Sequence, residues 1–342
     1  MSTSPTMNDV ARAAGVALKT VSRYVNGETN INPLLAERIG AAIVELGYRR
    51  NLAAASIRPG WTSKMLGLVI SDLSNPYYSA LTQSIEQTAR SQGYLLISAS
   101  SEEDGATFDR LVDRLMEQRV DGLIVVPPKS PARPWSAVVP PIPPLVVLDR
   151  PMETADLSAD IILADNAGGA RDAVKALLDE GARRVAFVGD SLELYTMRER
   201  YEGYQEALRA QGLPIDERLI ATDAHNYEQA TTSVLRLIGR TGSAGPDAIF
   251  AANNRAAIGT LLAFRQRGQR LPLIAFDDFE AAKVSDPAVS VVTQSIQEMG
   301  RIAAERVIAR AAGESSAGTT TVLPTTLVLR GSETPARPGA SA

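Results

Sequence analysis

The chain has 342 residues, 45% hydrophobic and 22% charged, an ordinary folded composition with length for two or three domains around sizeable cores. Cysteine is absent and His225 is the only histidine, which excludes disulfides and thiolate chemistry and leaves a Ser-His-Asp triad one candidate. The net charge of −4 hides a split: residues 1–64 hold eight basic against four acidic side chains, a basic head before an acidic body. Such a head suits a polyanion, although so small an excess does not prove nucleic-acid binding. No run approaches the ~18 apolar residues that cross a bilayer. MSTSPTMNDV lacks the basic and apolar regions of a secretion signal, so a cytoplasmic protein is expected.

Thr6, with Asp9 three residues on, forms an approximate capping box for a helix carrying Met7, Val10, Ala11 and Ala14 at helical spacing. Gly15 ends that helix. Residues 18–26 form a second short helix stopped by Gly27, and Asn32 caps a third that opens at Pro33 and buries Leu35, Ile39 and Ile43. Two short helices joined by a Gly-containing turn and braced by a third make a helix-turn-helix module. In the second helix Val21 and Val25 face inward, leaving Lys19, Thr20, Ser22, Arg23 and Asn26 for solvent or DNA. A generic three-helix bundle with a solvated face would show the same pattern.

MNDVARAAGVALKTVSRYVNG, followed by INPLLAERIGAAIVELGYRRN, resembles the DNA-binding head of the lac repressor (LacI/GalR) family. Asp9-Val10-Ala11, Ala14-Gly15-Val16, Thr20-Val21-Ser22-Arg23 and Leu46-Gly47-Tyr48 fall in register with it. The resemblance implies that Leu18 and Lys19 read operator bases. It also implies that Thr6, Thr20, Ser22, Arg23, Asn26, Tyr48 and Asn51 touch the backbone or nearby bases, and Asn32 is counted with them. Ala17 replaces the usual Ser cap of the recognition helix, a loss of ~1 kcal/mol. Residues 51–58 resemble the family's hinge helix, with Ile57 at the wedge that enters the minor groove where Leu is usual. Arg50 and Ala55 also depart from the family, and a plain interdomain linker is the alternative.

Beyond Lys64 the texture changes. MLGLVI, YLLIS, VDGLIVV, PLVVLD, RRVAFVG, DAIFAA and LPLIAF alternate with helical patterns, as in parallel sheets covered on both faces. The fold class expected is therefore α/β with an all-α head: a three-helix domain and hinge helix, then doubly wound parallel sheets. The family resemblance continues to about Gly331 and implies a periplasmic-binding-protein-like body of two subdomains, crossed near residues 163, 292 and 324. The domains expected are a head at 1–50, a hinge and linker at 51–64, and a body at 65–331. Within the body, one subdomain takes 65–163 and 293–323, and the other 164–292 and 324–331. Prolines crowd 127–144, favouring a stiff surface loop. The tail from Ser332 (residues 332–342) reads as disordered.

Phosphate-loop, dinucleotide and zinc-protease motifs are absent, so no catalytic residue, cofactor or metal is expected. Asp277-Asp278 could do acid-base work, but a loop cap or ligand clamp fits better. Polar groups instead follow the strands: Asp72, Tyr77 and Tyr78 after the first, Ser100 after the second, then Asp149, Arg200, Asn253, Asp277 and Gln294. Carboxylates, amides and a guanidinium beside aromatic rings suit a hydroxyl-rich ligand. Each could instead cap a helix or pack in the core. The family implies effector contact at Arg200, Asn253, Asp277 and Gln294, whereas Asn254 and Leu194 depart from common choices. His225 reads as a polar loop residue.

The expected function is a sequence-specific transcriptional regulator, a repressor controlled by a sugar or related small molecule between the subdomains. Its expected partners are a pseudo-palindromic operator, the effector and a second copy in a homodimer, with no membrane. A sugar-binding receptor without DNA function and a sugar-modifying enzyme are the alternatives.

Overall fold

The computed structural model describes residues 5–49, 62–153, 158–240 and 245–335. It divides into two compact units, Met1–Ser63 and Lys64–Ala342.

The first unit holds α1 (Met7–Ala14), α2 (Leu18–Val25) and α3 (Pro33–Leu46). Thr6 and Asp9 close a reciprocal capping box, the Asp9 carboxylate accepting the Thr6 N–H at 2.9 Å. Gly15 leaves α1 at φ 62°, a left-handed conformation that costs glycine nothing. Ala17 gives α2 no side-chain cap, whereas Asn32 accepts the Leu34 N–H at 2.9 Å and Pro33 opens α3. Val10, Val21 and Ile39, all at 0% exposure, pin the three helices together. Arg38 donates to the Ala14 carbonyl and, at 3.3 Å, to the Gly15 carbonyl, tying α3 to the end of α1.

The second unit contains two six-stranded sheets. β1 (Met65–Ile70), β2 (Leu95–Ser100), β3 (Gly122–Val125), β4 (Leu145–Leu148), β5 (Asp160–Ala164) and β11 (Thr320–Leu323) form the first, in the order β11-β5-β4-β3-β1-β2. β6 (Val185–Val188), β7 (Ile220–Ala221), β8 (Ala248–Ala251), β9 (Leu273–Phe276), β10 (Ser290–Gln294) and β12 (Thr325–Val328) form the second, in the order β12-β10-β9-β8-β6-β7. Every pairing is parallel except β10 with β12. Strand alternation separates two cores per sheet. In β1, Leu66, Leu68 and Ile70 join α4 (Pro76–Ser91) and α11 (Ile296–Ala311) on one face, while Val69 joins α5 (Gly105–Glu117) on the other. In β6, Ala186 and Val188 face α8 (Tyr227–Ile238) and α9 (Asn254–Arg267); Val185 and Phe187 face α6 (Asn166–Asp179) and α7 (Tyr195–Ala210). α10 (Glu280–Val284) follows β9.

The chain leaves the first sheet after β5, returns after β10 as α11, and passes from β11 to β12 through Pro324. These crossings fall at the ends of the strands whose loops meet between the subdomains.

Two expectations need correction. The proline-rich 127–144 stretch is not simply a surface loop: a short 3-10 turn at Trp135–Ala137 sinks Trp135 and Val138 into the core beside α5. The tail does not become disordered at Ser332. Ser332 and Glu333 are buried; Ser332 donates to the Leu273 carbonyl at 2.5 Å and accepts the Ser290 N–H at 2.8 Å, and the Ser290 hydroxyl donates to Glu333. Polar composition hid a clasp across the starts of β9 and β10. Residues 336–342 lie outside the described residues.

At the start of β5, Asp160 accepts from Arg310 at 2.6 Å, Arg306 at 3.2 Å and the Thr319 hydroxyl at 2.8 Å. Burial disfavours its charged form, but these donors outweigh burial and hold its carboxyl well below the usual range. A depressed folded pKa means that its contribution is complete above the unfolded value of about 3.9 and fades as pH falls toward the folded one. Acid unfolding followed by circular dichroism should therefore show Asp160→Asn less stable at neutral pH. Below about pH 4 the gap from wild type should narrow; a constant gap would deny the linkage.

Candidate functional site

In the head, α2 carries most of the residues expected to meet DNA. Leu18 is 44% exposed and Lys19 is exposed without an ion-pair partner among the described residues. Thr20, Ser22 and Arg23 are half-buried, and Asn26 is exposed at the helix end. Arg23 is not a free cation: its Nε donates to Glu28 at 2.7 Å, and a terminal nitrogen donates to the Asn30 side chain and, at 3.3 Å, to the Asn30 carbonyl. The loop between α2 and α3 thus holds the guanidinium in place, a role for Glu28 and Asn30 that the sequence pattern did not disclose. Thr6 and Asn32 spend their side chains on caps, and Tyr48 packs at the edge of the head core. Asn51, Ile57 and the expected hinge helix at 51–58 lie outside the described residues.

In the body, the carboxyl ends of both sheets surround a cavity of about 140 Å³. All the expected effector residues except Ser100 line it. Ser100 is not among the lining residues; its hydroxyl donates to Glu102 at 2.6 Å and lies 3.0 Å from the Ser71 carbonyl.

Asp149 and Asp277 occupy equivalent places, each just beyond a buried strand, β4 or β9, and each left-handed at φ 67° and 69°. A left-handed turn is uncommon outside glycine but several-fold enriched in Asp and Asn. Backbone bonds from Asp149 to Ile162 at 3.0 Å and from Asp277 to Val292 at 2.9 Å hold the two turns. Asp149 accepts the Tyr77 hydroxyl at 3.0 Å and the Tyr78 hydroxyl at 3.1 Å. Burial first, then the Asp149 charge, pushes Tyr77 well above its ordinary range, so its hydroxyl keeps its proton and donates. Asp277 accepts Gln294 Nε2 at 2.6 Å and Arg200 at 3.3 Å; burial raises its pKa against the opposing pull of Arg200 and Gln294.

Arg200 projects from α7 into the second sheet. Its Nε donates to Asn166 at 2.8 Å, its Nη1 to the Ala252 carbonyl at 2.7 Å, and its guanidinium carbon lies over the Phe276 ring, 3.7 Å from the ring centre. Tyr77 also lies 3.4 Å from Gln294 Oε1. A polar chain, Asp149–Tyr77–Gln294–Asp277–Arg200, therefore runs from one subdomain to the other. Asn253 caps α9 through the Ala256 N–H at 2.7 Å while lining the cavity. The cap and the place in the cavity lining coexist.

The subdomains also touch across the cavity mouth. Arg255 pairs with Asp72, Asn254 donates to Asn75 at 2.8 Å, and Lys129 donates to Glu193 at 2.8 Å. Sequence reasoning missed Glu102, Glu103, Asp190 and Arg255 as lining residues, whereas Arg150 was read with Asp149 as following a strand and does line the cavity. The signal for most of them was adjacency: Glu102 and Glu103 follow the end of β2, and Arg255 follows Asn253-Asn254. Asp278 turns away to Arg330 at 2.8 Å, and His225 is a half-exposed loop residue whose Nδ1 meets Asp190. Among the described residues no cluster could hold a metal ion, and no helix is long and apolar enough to cross a membrane.

A helix-turn-helix head covalently joined to a two-sheet body with a polar inter-subdomain cavity defines the class of ligand-responsive DNA-binding regulators. Comparison with known proteins agrees. Residues 6–51 match the profile described as bacterial regulatory proteins, lacI family, and residues 174–333 that of a periplasmic binding protein-like domain. The ribose operon repressor of Haemophilus influenzae is 30% identical over 329 residues, covering 95% of this chain and 97% of the relative. The transcriptional regulator GalS of Salmonella typhimurium is 32% identical over 331 residues, covering 95% of each. The crystal structure of the lac repressor dimer bound to operator and the anti-inducer ONPF superposes with a TM-score of 0.83, covering 97% of this chain and 100% of that one. At 22% identity this likeness shows a shared fold. The chain belongs to the lacI family of bacterial regulatory proteins, and it is a DNA-binding transcriptional regulator.

Proposed function

We propose that this regulator is a repressor that binds a pseudo-palindromic operator as a homodimer and responds to a sugar or related polyhydroxy molecule held in the body cavity. The observation that carries the reading is the polar chain from Asp149 to Arg200, which joins the subdomains through groups that also face the cavity. Ligand hydroxyls inserted there would find carboxylate acceptors and guanidinium and amide donors. The relatives' names, with a ribose operon repressor among them, support a sugar. The ligand must favour one arrangement of the subdomains over the other, because equal affinity for both shifts nothing. It would be bound and released unchanged, with no turnover, and the regulator would act in the cytoplasm where its DNA lies.

On DNA, Lys19 would donate to guanine O6 or N7 and the exposed Leu18 would meet base edges. Arg23, oriented by Glu28 and Asn30, would contact the backbone and nearby bases. The experiment is selection of fragmented genomic DNA at about physiological salt, where non-specific binding is weak. Recovery of one short palindrome is expected, released or tightened by a sugar. Lys19→Ala should then change the selected sequence. Arg23→Ala should weaken binding to every site and reduce the salt slope by about 1. Failure of the folded protein to enrich any sequence, with and without a sugar panel, would overturn the reading.

A further inference from the structure

The cavity carries more negative charge than its cations neutralise. Among the described residues, Asp72, Glu102, Glu103, Asp149, Asp190 and Asp277 face it against three guanidinium groups. Each of the three is already engaged by a carboxylate. Arg150 pairs with Glu103 at 2.7 Å and Asp149 at 3.4 Å, Arg200 with Asp277 at 3.3 Å, and Arg255 with Asp72. Lys129 is held by Glu193 at 2.8 Å.

Two carboxylates are left over. Glu102 accepts the Ser100 hydroxyl at 2.6 Å, and Asp190 accepts the Ser191 N–H at 2.6 Å and meets the His225 imidazole. Among the described residues neither has a lysine or arginine partner.

We infer that Glu102 and Asp190 form a charge filter, so that the cavity takes neutral or ammonium-bearing polyhydroxy ligands and rejects phosphorylated sugars and sugar acids. The inference rests on reading the cavity as a sugar site. Hydroxyls and ammonium groups donate to surplus carboxylates, whereas a phosphate brings further negative charge and needs donors that are already committed. A guanidinium could serve it only by leaving its own carboxylate, buried at Asp149 and Asp277 and half-buried at Asp72 and Glu103, without its cation, which is costly where the carboxylate is buried.

The test is calorimetric titration of the full-length protein with three matched series: D-glucose, D-glucosamine and D-glucose 6-phosphate; the galactose equivalents; and D-ribose with D-ribose 5-phosphate. In any series that binds, the phosphate ester should bind at least about 100-fold more weakly than its parent, as like-charge contact demands. The amino sugar should bind at least as tightly as the parent. Glu102→Gln and Asp190→Asn, made singly and together and checked for folding by their thermal melts, should each narrow the gap between parent and phosphate. A phosphate ester that binds as tightly as its parent overturns the filter and leaves the sugar reading standing, as does a gap unchanged in both single variants. Absence of binding in all three series overturns the sugar reading, and the filter with it.

Discussion

Arg200→Ala should abolish the response of DNA binding to ligand and destabilise the body by about 3–5 kcal/mol, the usual cost of stranding one member of a buried ion pair. The guanidinium serves four groups at once: Asn166, the Ala252 carbonyl, Asp277 and the face of Phe276. Alanine leaves the first three short of a donor in a buried setting. Asp277, already raised by burial, loses the charge that opposes that rise, and it should take up a proton more readily. Lysine is a poor substitute, since its single ammonium cannot sit over Phe276 while reaching acceptors from three elements. Urea unfolding of the body, paired with an operator-release assay, checks both halves. A variant that melts as wild type does and still releases DNA on adding ligand would remove Arg200 from its central place.

Val21→Asp should eliminate specific DNA binding while leaving ligand binding by the body intact. Val21 is fully buried between Val10 and Ile39, in a head core of few residues. A carboxylate there has no cationic partner within that core, and burying an unpaired charge costs several kcal/mol or more. A unit of this size has little stability to lose. Because head and body are separate compact units, unfolding of the first should show as loss of operator binding with unchanged calorimetric titration of the body. Operator binding at wild-type affinity would mean that the head core lies elsewhere.

How far such features can be read from sequence depends on the range of the physics behind them. The capping box at Thr6 and Asp9, the Gly15 stop and the Asn32-Pro33 start are set within four residues, and they were legible. The parallel sheets were legible because a strand buried on both faces has to be apolar along its length, as β6, β8 and β9 are. The carboxylates after strands could be located because the carboxyl edge of a doubly wound sheet is where loops converge. What stayed hidden depends on distant partners. Nothing near Arg200 announces Asn166 or Phe276, and nothing near Arg255 announces Asp72. Ser332 and Glu333 sit in a polar, proline-containing stretch and yet bond to Leu273 and Ser290. Ser100 had the right address at the end of β2 and the wrong direction.

The triple crossing of the body bears on how such a protein can be re-engineered or can diverge. Neither subdomain is one stretch of chain: the first sheet is completed by β11 and covered by α11 from near the C-terminus, while the second is begun at α6 and closed only by β12. Recombination within the body would therefore leave a half lacking a strand or a covering helix, its apolar face bare. A single crossover beyond residue 63, in contrast, moves the whole DNA reader and cuts no sheet. The architecture lets the address on the genome be exchanged as a cassette, while the pocket can change only residue by residue.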